Sequence, residues 1–282
     1  MRLIGLTGSI ATGKSTCSSI LSSPPHNLPI IDADLLARKA VEPGTWAYNR
    51  IVSTFGPSTS DLLLPPSDPQ CEGLEDGPTG KGRPLNRPAL GRRVFGLSEE
   101  KAADRKKLNS IVHPAVRFYM LREILWYYVM GQWAVVLDVP LLFESGLDMF
   151  VSTVVVVAVS DPKIQMQRLT GRDAHLSEED AKNRVASQTD VREKAKRAED
   201  RNRRGKGRGY VLYNDTTKEE LKVQIDDVVR QIRSESPAWW SVALLVCPPL
   251  MVAVASLEVL RGWRIQKEQA RERGRELPKA KL

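Results

Sequence analysis

The sequence predicts an α/β fold, a mostly parallel sheet with helices on its faces. Three observations carry that reading. A short apolar run at residues 2–6 leads into the small-residue turn Gly8-Ser9-Ile10-Ala11-Thr12-Gly13-Lys14-Ser15, which opens a helix. Residues 134–139 and 154–159 are apolar at consecutive positions, as parallel strands covered on two faces are. Strand patterns alternate with helical patterns over residues 1–232, the order that builds a parallel sheet.

The elements follow in order. Residues 2–6 form a buried strand, and residues 16–21 a helix behind the glycine turn. Residues 22–29 must be loop, because proline disrupts both regular structures. Ile30 and Ile31 begin a second strand that ends at Asp32-Ala33-Asp34. Residues 35–42 are helical and stop at Pro43-Gly44; residues 46–55 form another amphipathic helix. Residues 57–88 hold seven prolines and four glycines and keep no period, so a long surface insertion is expected there. Helical periodicity returns over 99–130, with a break or change of direction expected at His113-Pro114. After the two apolar strands, residues 161–208 are charged and helical. A last strand spans 210–213 and a helix 218–232.

Composition limits the function classes. The chain has 282 residues, of which 41% are hydrophobic, enough for a sizeable core and against whole-chain disorder. Cys17, Cys71 and Cys247 are too few and too scattered for a disulfide framework or a thiolate metal site. A net charge of +8 points to an anionic partner. No basic stretch followed by an apolar core opens the chain, so no signal peptide is expected and a reducing compartment fits.

Residues 8–15 match G-x-x-x-x-G-K-[ST] in full, between a strand and a helix, as the motif requires. Glycines let the backbone bend round phosphates, and the amides at the helix start supply donors and positive potential. Lys14 would contact the β- and γ-phosphates of ATP, and the Ser15 hydroxyl would ligate Mg²⁺. Thr16 is a helix residue near the phosphates; Cys17 is expected to pack. This is a P-loop NTPase fold, which also serves GTPases, motor ATPases and helicases. An Asn-Lys-x-Asp guanine-reading segment is absent, and the basic run 194–208 has no interleaved aromatics for stacking on bases, so no nucleic-acid partner is expected.

A kinase acting on an alcohol needs a carboxylate to align the hydroxyl and take its proton. Asp32 and Asp34 stand at a strand end, where the ligand crevice of a parallel sheet lies. Asp34 is the chosen base, and Asp32 is left to loop geometry or a Mg²⁺-bound water, with helix capping as the structural alternative for both. Asp138 ends a strand where a Mg²⁺-supporting acid would lie, or caps the following turn. Glu144 is a weaker candidate. In the basic pair of helices at 161–208, Arg172 and Arg184 are candidates for a lid over the triphosphate, and Arg168 for one further phosphate contact. Most of that charge run is expected to be a solvated face.

These segments together resemble the dephospho-CoA kinase family. The phosphate loop is followed by Ile31-Asp32-Ala33-Asp34, Val41-Glu42-Pro43-Gly44, Phe55-Gly56, Leu85-Asn86-Arg87 and Leu108-Asn109 with His113-Pro114. Val139-Pro140-Leu141-Leu142-Phe143-Glu144, residues 167–173, Gln188 and Asn214 complete the order. The match covers about residues 1–232. The resemblance implies that ATP with Mg²⁺ phosphorylates the ribose 3′-hydroxyl of dephospho-CoA, the last step of coenzyme A synthesis. It assigns Asp34 to that hydroxyl, Arg172 to the phosphates and Asn214 to the neighbourhood of the adenine. It places the acceptor on the helices around Arg87 and His113, with His113 itself given to packing or tethering. Another P-loop nucleotide or small-molecule kinase is the alternative. Departures from the family are the long 57–83 segment, the basic residues 198–209, and Asn86 where an acid is common.

The tail stands apart. Residues 238–257 carry no formal charge and are flanked by Trp239, Trp240 and Trp263. Residues 238–260 are therefore expected to associate with a membrane, bent at Pro248-Pro249 into a shallow hairpin, with the basic tail 261–282 on anionic headgroups. A helix packed on the kinase core is the alternative. The catalytic part is expected in the cytoplasm or on the cytoplasmic face of an intracellular membrane.

Overall fold

The structure, a computed structural model, describes residues 1–71, 82–96, 98–172, 185, 190–205, 207–235, 239, 243–244 and 246–276. The chain divides into two compact units, Met1–Ile31 with Trp126–Leu282, and Asp32–Leu125.

The first unit is built on a five-stranded sheet of order β2-β3-β1-β4-β5. The strands are β1 (Arg2–Gly8), β2 (Ile30–Asp32), β3 (Ala134–Asp138), β4 (Thr153–Ala158) and β5 (Gly209–Tyr213). β1 pairs in parallel with β3 and β4, and β4 with β5. Every residue of β3 and β4 is buried, which explains why both read as unbroken apolar runs. On one face, α1 (Lys14–Ser22) and α8 (Lys218–Ser234) pack Cys17, Ile20, Leu221, Ile225 and Val229 against Ile4, Leu6, Val136, Val155 and Leu212. The spacing of the α8 residues is one helical stripe. Its start is capped by Thr217, whose side chain accepts from the Glu220 amide at 3.3 Å.

α6 (Pro162–Arg172) and α7 (Val191–Arg204) follow β4, and α7 packs on β4 and β5. The basic run in α7 is only partly a solvated face. Val191, Lys194, Ala195, Ala198 and Arg201 are buried along one side, and Arg201 bonds Asp148 at 3.0 Å. Burial acts on both members of that pair: it pushes the Asp148 carboxyl up and the Arg201 guanidinium down.

The tail follows expectation in part. Residues 239, 243, 244 and 246 are helical, Cys247 is not, and Pro248 and Pro249 begin α9 (Pro248–Glu276), where missing amide protons cost nothing, so the helix is interrupted at the double proline as expected. Residues 248–260 of the apolar segment and residues 261–276 of the basic tail run through one helix, so the expected division at 260 and 261 is not a break in structure. Among the described residues no helix is long and apolar enough to cross a membrane. α9 lies against the short turn Leu147–Phe150 so closely that a Cβ on Gly262 would stand 2.3 Å from the Met149 carbonyl oxygen.

The second unit holds α2 (Ala33–Ala40), α3 (Trp46–Phe55), α4 (Arg87–Val94) and most of α5 (Glu99–Val129). Ala40, Tyr48, Ile51, Phe55, Val94, Ile111 and Ala115 form its core. α5 runs unbroken through Pro114, contrary to the expected break. The carbonyl that loses its donor is that of Ser110, an exposed residue that water can serve. His113 is exposed, so packing falls to Ile111 and Ala115 and not to the imidazole.

The surface insertion expected at 57–88 is narrower. Leu62 and Leu85 join the core, Leu63 and Leu85 form an antiparallel bridge, and the Asn86 amide donates to the Leu62 carbonyl at 2.8 Å. The Leu64 amide donates to the Pro84 carbonyl at 3.0 Å. The segment therefore hangs from a hydrogen-bonded neck. Its middle, residues 72–81, lies outside the described residues, as does residue 206 of the basic stretch 198–209.

Candidate functional site

β1 ends at Gly8, and α1 begins at Lys14. The five residues between them turn the chain back on itself. Ala11 and Gly13 have positive φ, 61° and 94°. At Gly13 a side chain is excluded twice over, by that φ and because a Cβ would meet the Asn214 Nδ2 at 2.1 Å. The buried Thr12 hydroxyl donates to the Ser9 carbonyl at 2.9 Å and closes the turn from within. Two outside residues fasten it: Gln165 Nε2 donates to the Ile10 carbonyl at 2.7 Å, and Asn214 Nδ2 to the Thr12 carbonyl at 2.9 Å. Arg168 in turn donates to the Asn214 carbonyl at 2.6 Å, so its guanidinium is used in holding this frame.

The turn's shape suits an anion. The first turn of α1 carries no acidic residue, and its amides lack helical acceptors. Lys14 Nζ lies 2.5 Å from Asp138 Oδ1. The register explains the meeting: Leu6 is opposite Asp138 across β1 and β3, so both groups stand at the same end of the sheet. Ser15 is exposed near the start of α1, and Thr16 is half-buried. Cys17 is fully buried, and burial, reinforced by Asp138 and opposed by Lys14, pushes its thiol up to about 12. It packs, as expected, and offers no thiolate.

The chemistry of the donors fits Mg²⁺ bound with a nucleotide. Among the described residues no group of three or more His, Cys, Asp or Glu side chains converges on a metal position. Mg²⁺ keeps waters and takes phosphate oxygens, so one hydroxyl beside a phosphate turn is an adequate protein contribution.

In the second unit, Asp32 and Asp34 separate by role. The Asp32 carboxylate caps α2, accepting from the Asp34 amide at 2.8 Å and the Leu35 amide at 3.0 Å. Asp34 is exposed in the first turn of α2. Asn86 caps α4, its Oδ1 accepting from the Ala89 amide at 3.3 Å. Arg172, the last residue of α6, is exposed. Arg184 and Gln188 lie outside the described residues, with most of the segment between α6 and α7.

Lys194 is the residue that sequence reasoning missed. It has no exposed surface, and its ammonium donates to the Pro140 carbonyl at 2.9 Å and meets Glu144 Oε1 at 3.1 Å. The Thr7 hydroxyl donates to the same carbonyl at 2.9 Å. Glu144 is accordingly a structural partner. A signal for Lys194 existed: it shares a helical stripe with Val191, Ala195 and Ala198, small or apolar residues that mark a packed face.

Comparison with known proteins gives the family. The family described as CoaE, dephospho-CoA kinase, matches residues 2–65 and 74–205. The break in that match falls inside the segment carried by the Leu63–Leu85 neck. The dephospho-CoA kinase CAB5 of Saccharomyces cerevisiae is 40% identical over 269 residues, covering 95% of this chain and 97% of the yeast protein. The dephospho-CoA kinase of Bacillus cereus is 43% identical over 228 residues, covering 81% and 96%. The crystal structure of TT1252 from Thermus thermophilus superposes with a TM-score of 0.59 at 27% identity, covering 82% of this chain and 97% of that one. The chain belongs to the dephospho-CoA kinase family and is an enzyme of its reaction, the ATP- and Mg²⁺-dependent phosphorylation of dephospho-CoA that completes coenzyme A synthesis.

Proposed function

We propose that Lys14, Asp34 and Arg172 carry the transfer on a frame made by residues 8–16. The loop amides and Lys14 bind the triphosphate, and Arg172 closes over it. Asp34 accepts the proton of the ribose 3′-hydroxyl as the O3′–P bond forms and the bond from the γ-phosphorus to the β–γ bridging oxygen breaks, releasing ADP. Ser15 would hold Mg²⁺, which supplies charge neutralisation on the phosphates. Asn214, which fastens the loop at Thr12, borders the adenine.

The supporting observation is the division of labour at the end of β2. Asp32 spends its carboxylate on the α2 cap, while Asp34 stays exposed and makes no ion pair among the described residues. Residues 1–232 form the catalytic part, with 161–208 as its lid and basic segment and the helices around Arg87 receiving the acceptor. The C-terminal segment rests on a membrane surface, with the catalytic part in the cytoplasm or on the cytoplasmic face.

The test compares Asp34→Asn with Asp32→Asn. Asp34→Asn should retain ATP binding and melting temperature while kcat falls about 10²–10⁴-fold. Asp32→Asn should instead lower stability, by up to about 1 kcal/mol, because an amide oxygen still caps. Near-normal turnover by Asp34→Asn at saturating dephospho-CoA would remove Asp34 from the chemistry.

A further inference from the structure

α9 sorts its charges by face. Its inner side is set by Gly262, Ile265 and Gln269, all buried. Of the acids, Glu258 turns to that side, while Glu268 and Glu272 stay exposed at its edge with their carboxylates on Arg204. Glu258 pairs with Arg208 at 2.8 Å, while Glu268 and Glu272 each pair with Arg204 at 2.7 Å. Gln269 Nε2 adds a bond to the Arg197 carbonyl at 3.2 Å, and Gln266 Nε2 one to Asp148 at 3.1 Å. The helix is thereby fastened to α7 and to the Leu147–Phe150 turn, with Glu258, Glu268 and Glu272 neutralised.

The opposite side holds Leu250, Leu257, Leu260, Arg264, Lys267 and Arg271, exposed and spaced at one seven-residue step and then three- and four-residue steps along one stripe. Its first half is apolar and its second half basic. Leu257 and Leu260 are each 52% exposed. Neither Arg264 nor Arg271 has an ion pair among the described residues, and Lys267 lies over the Trp263 ring at 4.7 Å. A second apolar surface adjoins the start of this segment. The Tyr128 hydroxyl donates to the Leu244 carbonyl, and the neighbouring Trp126, Val129 and Met130 at the end of α5 are exposed.

We infer that this outer face of α9 is a docking surface for an anionic lipid bilayer, which the helix meets lying in the interface plane. Charge complementarity selects that occupant. A stripe without acidic residues, apolar at one end and basic at the other, suits acyl chains beneath negative headgroups, and exposed tryptophans occupy the headgroup level. With 29 residues the helix is long, but it is not apolar enough over that length to cross. Its ion pairs to α7 hold it on the enzyme, so the bilayer contacts its outer stripe while the inner stripe stays in the fold. This inference rests on the membrane contact proposed above and specifies the face and the lipid charge.

Flotation of the full chain with vesicles tests it. Vesicles of phosphatidylcholine alone are compared with vesicles containing about 30% phosphatidylserine, at about 0.1 M and about 0.5 M salt. The chain should float with the phosphatidylserine vesicles at low salt and be largely released at high salt. Arg264→Glu with Arg271→Glu should lower partitioning at least about 30-fold, from about fivefold per basic residue. Leu257→Glu with Leu260→Glu should abolish flotation. Both double variants should phosphorylate dephospho-CoA at the rate of the unchanged chain, which separates this inference from the catalytic assignment and certifies folding. Equal flotation of all three proteins, or none with any vesicle, would overturn the inference. So would a concentration-dependent dimer in vesicle-free solution that Leu257→Glu with Leu260→Glu dissolves, since a second copy would then own the face.

Discussion

Replacing Lys194 with methionine is the sharpest test of how the phosphate site is held. The side chains are close in length, so the change removes a charge without opening a large cavity. It leaves the Pro140 carbonyl with one side-chain donor fewer, Thr7 remaining, and takes the Lys194 ammonium away from the Glu144 carboxylate. Breaking a fully buried pair costs about 3–5 kcal/mol. Glu144 keeps 26% of its side-chain surface in water, which partly solvates its charge once Lys194 is gone. The expected loss is therefore smaller, about 2–3 kcal/mol. At about 2–4 °C per kcal/mol, the melting temperature should fall by about 4–12 °C. Pro140 follows Asp138, the partner of Lys14, by two residues, so kcat should also fall while KM for ATP changes less. The assay is a double-mutant cycle with Glu144→Gln, read by thermal melting and by steady-state kinetics. Glu144→Gln and Lys194→Met should be non-additive, the double variant losing less than the sum of the two single losses, because the two side chains meet. A melting temperature within about 1 °C of the unchanged chain for Lys194→Met, with unchanged kcat, would refute the clamp, since a cation of this burial cannot be energetically idle.

Two further outcomes are expected. With its thiol pushed up to about 12, Cys17 stays protonated far above neutral pH, so at pH 8 it should resist iodoacetamide until the chain unfolds, whereas the exposed Cys247 should react in the native state; mass-mapped labelling that modifies both at similar rates would contradict the buried placement. Because the insertion hangs from a neck, limited proteolysis should cut first within residues 66–81 and leave both flanks associated, while Leu62→Ala should lower stability by about 2–4 kcal/mol in a denaturant melt; first cleavage at the neck itself would place the order of stability elsewhere.

Local chemistry made much of this protein readable before any coordinates. A turn that must cradle phosphates needs residues free to adopt positive φ and a lysine and hydroxyl at a set spacing, so residues 8–15 declare themselves. Strands buried on both faces have no polar alternation to offer, and β3 and β4 could be placed to within a residue. Asp32 and Asp34 were legible as a pair at a strand end; which of them caps α2 was settled by backbone geometry, where the Asp32 oxygen meets two amides. The phosphate-loop lysine was plain, but its partner Asp138 lies 124 residues away and depended on parallel pairing of β1 with β3.

What escaped the sequence shares one physical reason: a residue's solvation depends on neighbours distant in the chain. Lys194 and Arg201 sit in a run of charge that ordinarily faces water, yet packing of α7 against β4 and β5 buries them, and Pro140, Glu144 and Asp148 supply their compensation. Leu62 and Leu85 lie in the segment read as a surface insertion, and only the tertiary structure, with Leu63 bridged to Leu85, brings them to the α3 and α5 core. Pro114 predicted a break, but an exposed Ser110 lets water satisfy the freed carbonyl, and the helix continues. The double proline at 248–249 predicted an interruption, and the helix does stop at Cys247 before both prolines open α9, where a missing amide proton is no loss; Glu258, Glu268 and Glu272 found their arginines on α7 and at Arg208 only when the fold brought them together.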